Sequence, residues 1–384
     1  MKKILFVLDS INSGGTATSM LNLLGLMKEK GYQADIFLML REGCFLERAE
    51  SITTVLPEER IISSIRCRKD QLKHRGLVAI IIRVVFGVLC RLMGREETIE
   101  LFYKASAKKL DGKYDTVAVY QETISTEYAQ HIKCDRRIAW IHNDYCRFVA
   151  GKTTEYEQRL YDHFDEIICV SQASKNSMLE NLELPKEHVH LIYNTIPRDY
   201  IIQQSEMPVE PLEKRTYTFV SMGRFAPQKR FDRAVEVAAI LKRDNVDFIW
   251  YIIGEGTDYE EIQNQIDKNE LRQYLVLLGL KPNPFPYIKQ ADCFVLTSEY
   301  EAQPMVLNEA LTLKIPVIST RFSSVTEVVD DGVNGFITDN SSEGIYDGIV
   351  RFMTDKDARK QIETGAKNFE YQNEEILNQV ISLL

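Results

Sequence analysis

What this chain lacks narrows its possibilities first. Its seven cysteines contain no C-x-x-C pair. Neither a zinc ribbon nor a disulfide framework is therefore indicated, and reduced thiols in a cytoplasmic protein are expected. The net charge of −9 argues against wholesale nucleic-acid binding. No G-x-G-x-x-G follows the first apolar segment, where Ser13-Gly14-Gly15 stands instead, so a nicotinamide oxidoreductase is the weakest of the enzyme readings. The only D-x-D, Asp355-Lys-Asp357, lies between Thr354 and a helical Ala-Arg-Lys run. It reads as an acidic helix N-terminus, and no metal is expected. The apolar run Ile4–Leu8 ends at Asp9, which fits a buried first strand and not an export signal.

What is present is an ordinary globular balance, 45% apolar and 27% charged over 384 residues, enough for two domains with their own cores. Short apolar segments alternate with amphipathic ones, the pattern of parallel α/β units. Strands are expected at Ile4–Leu8, Ala34–Leu40, Thr116–Tyr120, Ile138–Ile141, Glu166–Val170 and Val189–Ile192, then at Thr218–Met222, Phe248–Ile253, Leu275–Leu278, Cys293–Leu296 and Pro316–Ser319. Between the two sets, prolines and charges without periodicity suggest a linker. The expected division is a first domain at 1–197, a linker at 198–215, a second domain at 216–367 and a terminal helical segment at 368–384.

The segment Glu301-Ala-Gln-Pro-Met-Val-Leu-Asn-Glu309 crosses a loop-to-helix junction just after an apolar strand. With Pro304 at the first helical position, the N–H groups of Met305 and Val306 are free, and such an end attracts phosphate. A carboxylate on each side suits the hydroxyls of a sugar and a ribose. Arg224 and Lys229 follow another strand, where two cations can neutralise a diphosphate. Taken singly, each of these residues also reads as a solvated loop or helix charge. Gly254-Glu255-Gly256 is either a turn beside a nucleotide or simply a strand-to-helix turn. His142, in Trp140-Ile-His-Asn-Asp144, can orient a hydroxyl or shuttle a proton near neutral pH; a structural histidine and, at Asp144, a helix cap are the plain alternatives.

Together these segments resemble the retaining glycosyltransferase group called family 4. Glu301 to Glu309 is similar to its E-x7-E signature, Gly223-Arg-Phe-Ala-Pro-Gln-Lys229 to its G-R-x-x-x-x-K phosphate loop, and Gly14-Gly15 to its N-terminal glycine loop. The resemblance implies an α/β protein with the GT-B architecture, two Rossmann-like parallel-sheet domains facing a central cleft, with the terminal segment crossing back to the first domain. It implies a nucleotide-sugar donor, a UDP-sugar foremost, and a glycan, lipid-linked or protein-linked acceptor in cell-surface polysaccharide or glycoconjugate synthesis. Glu301 would contact the transferred sugar, Glu309 the ribose, Arg224 and Lys229 the diphosphate, and the main chain near Leu280 the base. His142 would stand near donor sugar and acceptor. Ala302 and Pro304 depart from the glycines common in that group. A sugar-nucleotide epimerase and a non-catalytic pseudo-transferase are the competing functions.

Residues 66–95 join a basic run, Arg66 to Arg75, to an apolar run split by Arg83. A spanning helix is not expected. The segment reads either as a helix docked peripherally on the inner face of the plasma membrane or as a core helix, which apolar residues all round would favour.

Overall fold

In the computed structural model of the chain, residues 2–12, 14–143 and 153–384 are described. Ser13 and Asp144, both singled out from the sequence, lie outside them. The chain forms two compact units, Met1–Thr195 with Asn373–Leu384, and Ile196–Gln372.

The first unit holds a parallel sheet of β1 (Ile4–Leu8), β2 (Ala34–Leu38), β3 (Thr116–Val119), β4 (Arg136–Ile141), β5 (Glu166–Cys169) and β6 (Val189–Leu191), in the order β2-β1-β3-β4-β5-β6. All residues of β1, β3 and β5 are buried, as expected of strands covered on both faces. The chain leaves β1 towards β2 and then crosses to β3 on the other side. That reversal opens a crevice at the carboxyl ends of β1 and β3.

The second unit repeats the device with β7 (Tyr217–Met222), β8 (Phe248–Ile253), β9 (Leu275–Gly279), β10 (Cys293–Leu296), β11 (Val317–Thr320) and β12 (Gly335–Thr338), in the order β12-β11-β10-β7-β8-β9. Here β7 lies between β8 and β10, so the reversal falls at β7/β10. Both faces of this sheet are packed, one around Phe294, Leu307 and Val317, the other around Phe219, Trp250 and Phe352. The sequence reading omits β12: four residues behind the turn Asp330-Asp-Gly-Val-Asn look like its continuation, and only pairing with β11 makes them a strand.

Two further expectations need correction. The stretch 198–215 is not featureless, since Arg198–Ser205 is a helix whose Ile201 is buried in the second unit's core. The helix Leu77–Met93 is not apolar all round in its packing: Ala79 is buried and Ile82 and Phe86 pack on the core, while Leu77, Val84 and Leu92 are exposed. Arg83 turns towards the fold and donates to the carbonyls of Ser64, at 2.9 Å, and Ile65.

The terminal helix Asn373–Leu383 belongs to the first unit and buries Ile376, Leu377 and Val380. Its end is held by cations and a hydroxyl: Arg136 donates to the Leu383 carbonyl at 2.7 Å, and Lys2 and Thr116 to that of Leu384 at 3.1 and 2.8 Å. Positive groups suit the negative end of a helix. Removing Asn373–Leu384 is expected to cost the first unit roughly 3–6 kcal/mol from lost apolar burial. A differential scanning calorimetry trace should show one unit's transition lowered by several degrees; an unchanged trace would contradict this packing.

Candidate functional site

At the carboxyl end of β7 the chain makes a short 3-10 turn, Pro227–Lys229; at the end of β10 it runs through Thr297 to Glu301. The two loops are stitched together. Glu299 N–H donates to the Gln228 carbonyl at 2.8 Å, the Gln228 amide donates to the Tyr300 carbonyl at 2.7 Å, and Thr297 Oγ1 donates to the Lys229 carbonyl at 2.6 Å. These bonds bring Lys229 Nζ to 2.6 Å from Glu301 Oε1, which also accepts from Ser298 Oγ at 2.7 Å. The lysine stem crosses Gly223, where an added Cβ would meet its Cε at 3.0 Å. Both side chains are largely shielded, 14% and 11% exposed.

The neighbouring Glu299 is engaged differently. Arg230 and Arg233 donate to its carboxylate at 2.6 and 2.8 Å, and Asn340 to its carbonyl at 2.9 Å. It braces the loop, which leaves Glu301 as the carboxylate facing Lys229.

Glu309 lies inside the helix Met305–Thr312 and is buried, with Oε2 unpartnered among the described residues, as is Nδ2 of Asn308 beside it. Burial pushes its carboxyl up to about 7, against the pull of Lys229. The entry to this helix corrects the sequence reading. Pro304 precedes the helix and is not its first residue, and the Met305 N–H is already given to the Gln303 carbonyl at 2.9 Å. Of the two amides expected to be free, only that of Val306 has no acceptor among the described residues.

Gly254 and Gly256, with φ of 147° and 153°, bring the β8 turn against the β7 loop; a Cβ would fall 1.9 Å from the Gly223 carbonyl oxygen and 2.3 Å from that of Phe225. Close backbone approach accounts for both glycines. Arg224 is exposed beside them, with no ion pair among the described residues. Leu280 is exposed just past the end of β9. Asp355 caps a helix, accepting from the Ala358 N–H at 3.0 Å.

Three sequence-predicted residues lie in the first unit. Gly14 precedes the helix Gly15–Glu29 at φ 148°, at the carboxyl side of β1. His142 directly follows β4, buried, its ring 4.9 Å from that of Tyr120. Its Nε2 has no partner among the described residues, and burial lowers its pKa to about 3. Burial favours the neutral ring, whose Nε2 can hydrogen-bond a hydroxyl or take its proton. Sequence reasoning missed the carboxylate that holds the main chain at this histidine. Glu122, buried after β3, accepts the N–H groups of His142 and, at 2.5 Å, Asn143, and its pKa is raised by burial to about 7. Its place just beyond a strand's carboxyl end was the available signal. Tyr120 and Ser19, 2.8 Å apart, with Asn194 2.7 Å from Ser19, complete a buried polar cluster that no motif announces.

Comparison with known proteins meets this geometry. Residues 13–200 match the model described as Glycosyltransferase Family 4, and residues 203–369 that described as Glycosyl transferases group 1. The chain belongs to family 4 of the GT-B glycosyltransferases. An uncharacterized glycosyltransferase of Methanocaldococcus jannaschii is 29% identical over 53% of this chain and 54% of that one. The N-acetylgalactosamine-N,N'-diacetylbacillosaminyl-diphospho-undecaprenol 4-alpha-N-acetylgalactosaminyltransferase of Campylobacter jejuni is 25% identical over 54% of this chain and 56% of its own. The chain thus spans about half the length of the curated relatives it matches. HepE of Anabaena, solved with UDP and glucose, superposes with a TM-score of 0.73 at 17% identity, over 100% of this chain and 99% of that one. That likeness supports the two-domain fold.

The buried carboxyl gives a test without a ligand. Because the folded chain holds Glu309's proton more tightly than the unfolded chain, stability falls as pH rises from about 4.5 towards 7. Glu309→Gln is expected to flatten that fall and to raise stability at pH 8 by roughly 1–3 kcal/mol. Urea unfolding at pH 5 and pH 8 measures it; an unaltered pH dependence would mean the carboxyl is not held neutral.

Proposed function

We propose that the chain transfers a sugar from a nucleotide-sugar donor, a UDP-sugar foremost, to a glycan, lipid-linked or protein-linked acceptor hydroxyl, with retention at the anomeric carbon, in cell-surface polysaccharide or glycoconjugate synthesis. The observation that carries the proposal is the Lys229–Glu301 pair at the β7/β10 reversal, with buried, unpaired Glu309 behind it. A lysine with a carboxylate beside it offers a cation to a diphosphate and acceptor oxygens to sugar hydroxyls. HepE's complex with UDP and glucose and the diphospho-undecaprenol named for the Campylobacter enzyme support the choice of donor and acceptor classes.

In this reading Lys229 and the exposed Arg224 neutralise the diphosphate as it departs, and the Val306 N–H adds a donor at the positive end of its helix. Met305 keeps a packing role there. Glu301 turns from Lys229 towards the sugar, and Glu309 meets the ribose hydroxyls that its free Oε2 lacks now. The main chain at Leu280 meets the base, and Gly254 admits the nucleotide. In the first unit, Gly14 and Gly15 open a helix suited to an anionic ligand group, and His142, its backbone N–H held by Glu122, orients the acceptor hydroxyl. That hydroxyl attacks from the face the diphosphate leaves, through an oxocarbenium-like state, and gives its proton to the departing phosphate oxygen as the bond from the anomeric carbon to that oxygen breaks. The site as proposed calls for no metal.

Turnover of a nucleotide-sugar panel with candidate acceptors, followed by NMR of the linkage formed, tests the proposal. Lys229→Ala and Glu301→Gln should each lower kcat by about 100-fold or more, on the scale of losing one transition-state contact. A product of opposite anomeric configuration would sink retention. Folded wild-type protein that turns over no donor would favour a non-catalytic partner, and an isomerised nucleotide sugar would favour the epimerase.

A further inference from the structure

The helix Leu77–Met93 presents an outer face that the fold leaves uncovered. Leu77, Ile81, Val84, Val88 and Leu92 follow helical spacing down one side, from 49% to 76% exposed. The inner face is fixed: Phe86 meets Phe102 edge-on at 5.3 Å, and Arg83 is turned inward to cap the helix Arg60–Arg66 through the Ser64 and Ile65 carbonyls. The one charge that interrupts the apolar run in sequence is therefore absent from the exposed stripe.

Charge identifies the occupant. Residues 66–95 carry eight Lys or Arg against one Asp, in a chain whose net charge is −9. Exposed Arg68, Lys69 and Lys73 stand before the stripe and exposed Arg91 and Arg95 at its far end. Among the described residues no helix is long and apolar enough to cross a membrane. We propose that this face lies in the plane of an anionic lipid bilayer, its aliphatic side chains in the interface and its flanking cations on the headgroups. Apolar insertion and attraction to acidic lipid then act together, as in monotopic helices. A second copy is a poor occupant, because two such cationic faces would repel in a symmetric contact.

Cosedimentation of the full chain with vesicles of phosphatidylcholine, alone or mixed equally with phosphatidylglycerol, tests this. Binding is expected only to the mixed vesicles, weakened at about 0.5 M salt by screening. The doubles Val84→Glu/Val88→Glu and Lys69→Glu/Lys73→Glu should each reduce it about tenfold or more, on the scale of the lost lipid contacts. All four residues are exposed, so unchanged thermal unfolding is expected of both variants. Slowed amide exchange across 77–93 in the wild type on adding mixed vesicles checks the same face without mutation. Absence of binding to mixed vesicles, or equal binding to neutral ones, would overturn the proposal. So would vesicle-independent self-association that Val84→Glu/Val88→Glu abolishes, which would assign the face to a second copy.

Discussion

A lysine and a glutamate 2.6 Å apart, offered from the ends of two strands that the chain visits far apart in sequence, are the contact on which the proposed site depends. Lys229 follows β7 and Glu301 follows β10, and only the reversal in strand order makes them neighbours. Holding a largely shielded ion pair is not an efficient way to stabilise a fold, since the desolvation of both charges offsets most of their attraction. The surrounding loop bonds from Gln228, Thr297 and Ser298 do hold it. A pair kept at that cost, in the crevice where α/β sheets bind ligands, is better explained by a ligand that separates its members.

Glu309 follows the same logic in sharper form. A carboxyl buried in a helix with an unpaired oxygen costs stability unless it stays protonated. An incoming hydroxyl would supply the missing partner, and Lys229 close by favours the charged form when it does. The first unit carries a parallel arrangement in Glu122 and His142, a buried acid that accepts the His142 backbone N–H beside a buried ring just past the end of β4. Both sites spend folding stability on groups that the isolated chain leaves incompletely satisfied.

The sequence was most legible where period and spacing carry the signal. Eleven of the strands stand out as apolar runs, most of them because strands buried on both faces cannot be polar. The pairing of Glu301 with Glu309 is visible in their spacing, and the loop after β7 in its glycine and cations. Less legible were features that depend on partners distant in sequence. β12 becomes a strand only beside β11. Whether Glu299 or Glu301 faces Lys229 depends on Arg230 and Arg233 claiming the former. The direction of Arg83 depends on a helix end that it happens to meet. Glu122 carries no motif, and its burial follows from the loops around it.

The most direct measurement is thermal unfolding of wild type and Glu309→Ala with UDP, UDP-sugars and other nucleotides and nucleotide sugars. A ligand at 100 times its dissociation constant should add about 2.7 kcal/mol to the stability of the protein that binds it. A selective shift is expected for the wild type, raised further by the matching sugar and lost in Glu309→Ala. A shift that survives in the variant would put the nucleotide elsewhere, and no shift with any member of the panel in folded protein would contradict the donor site.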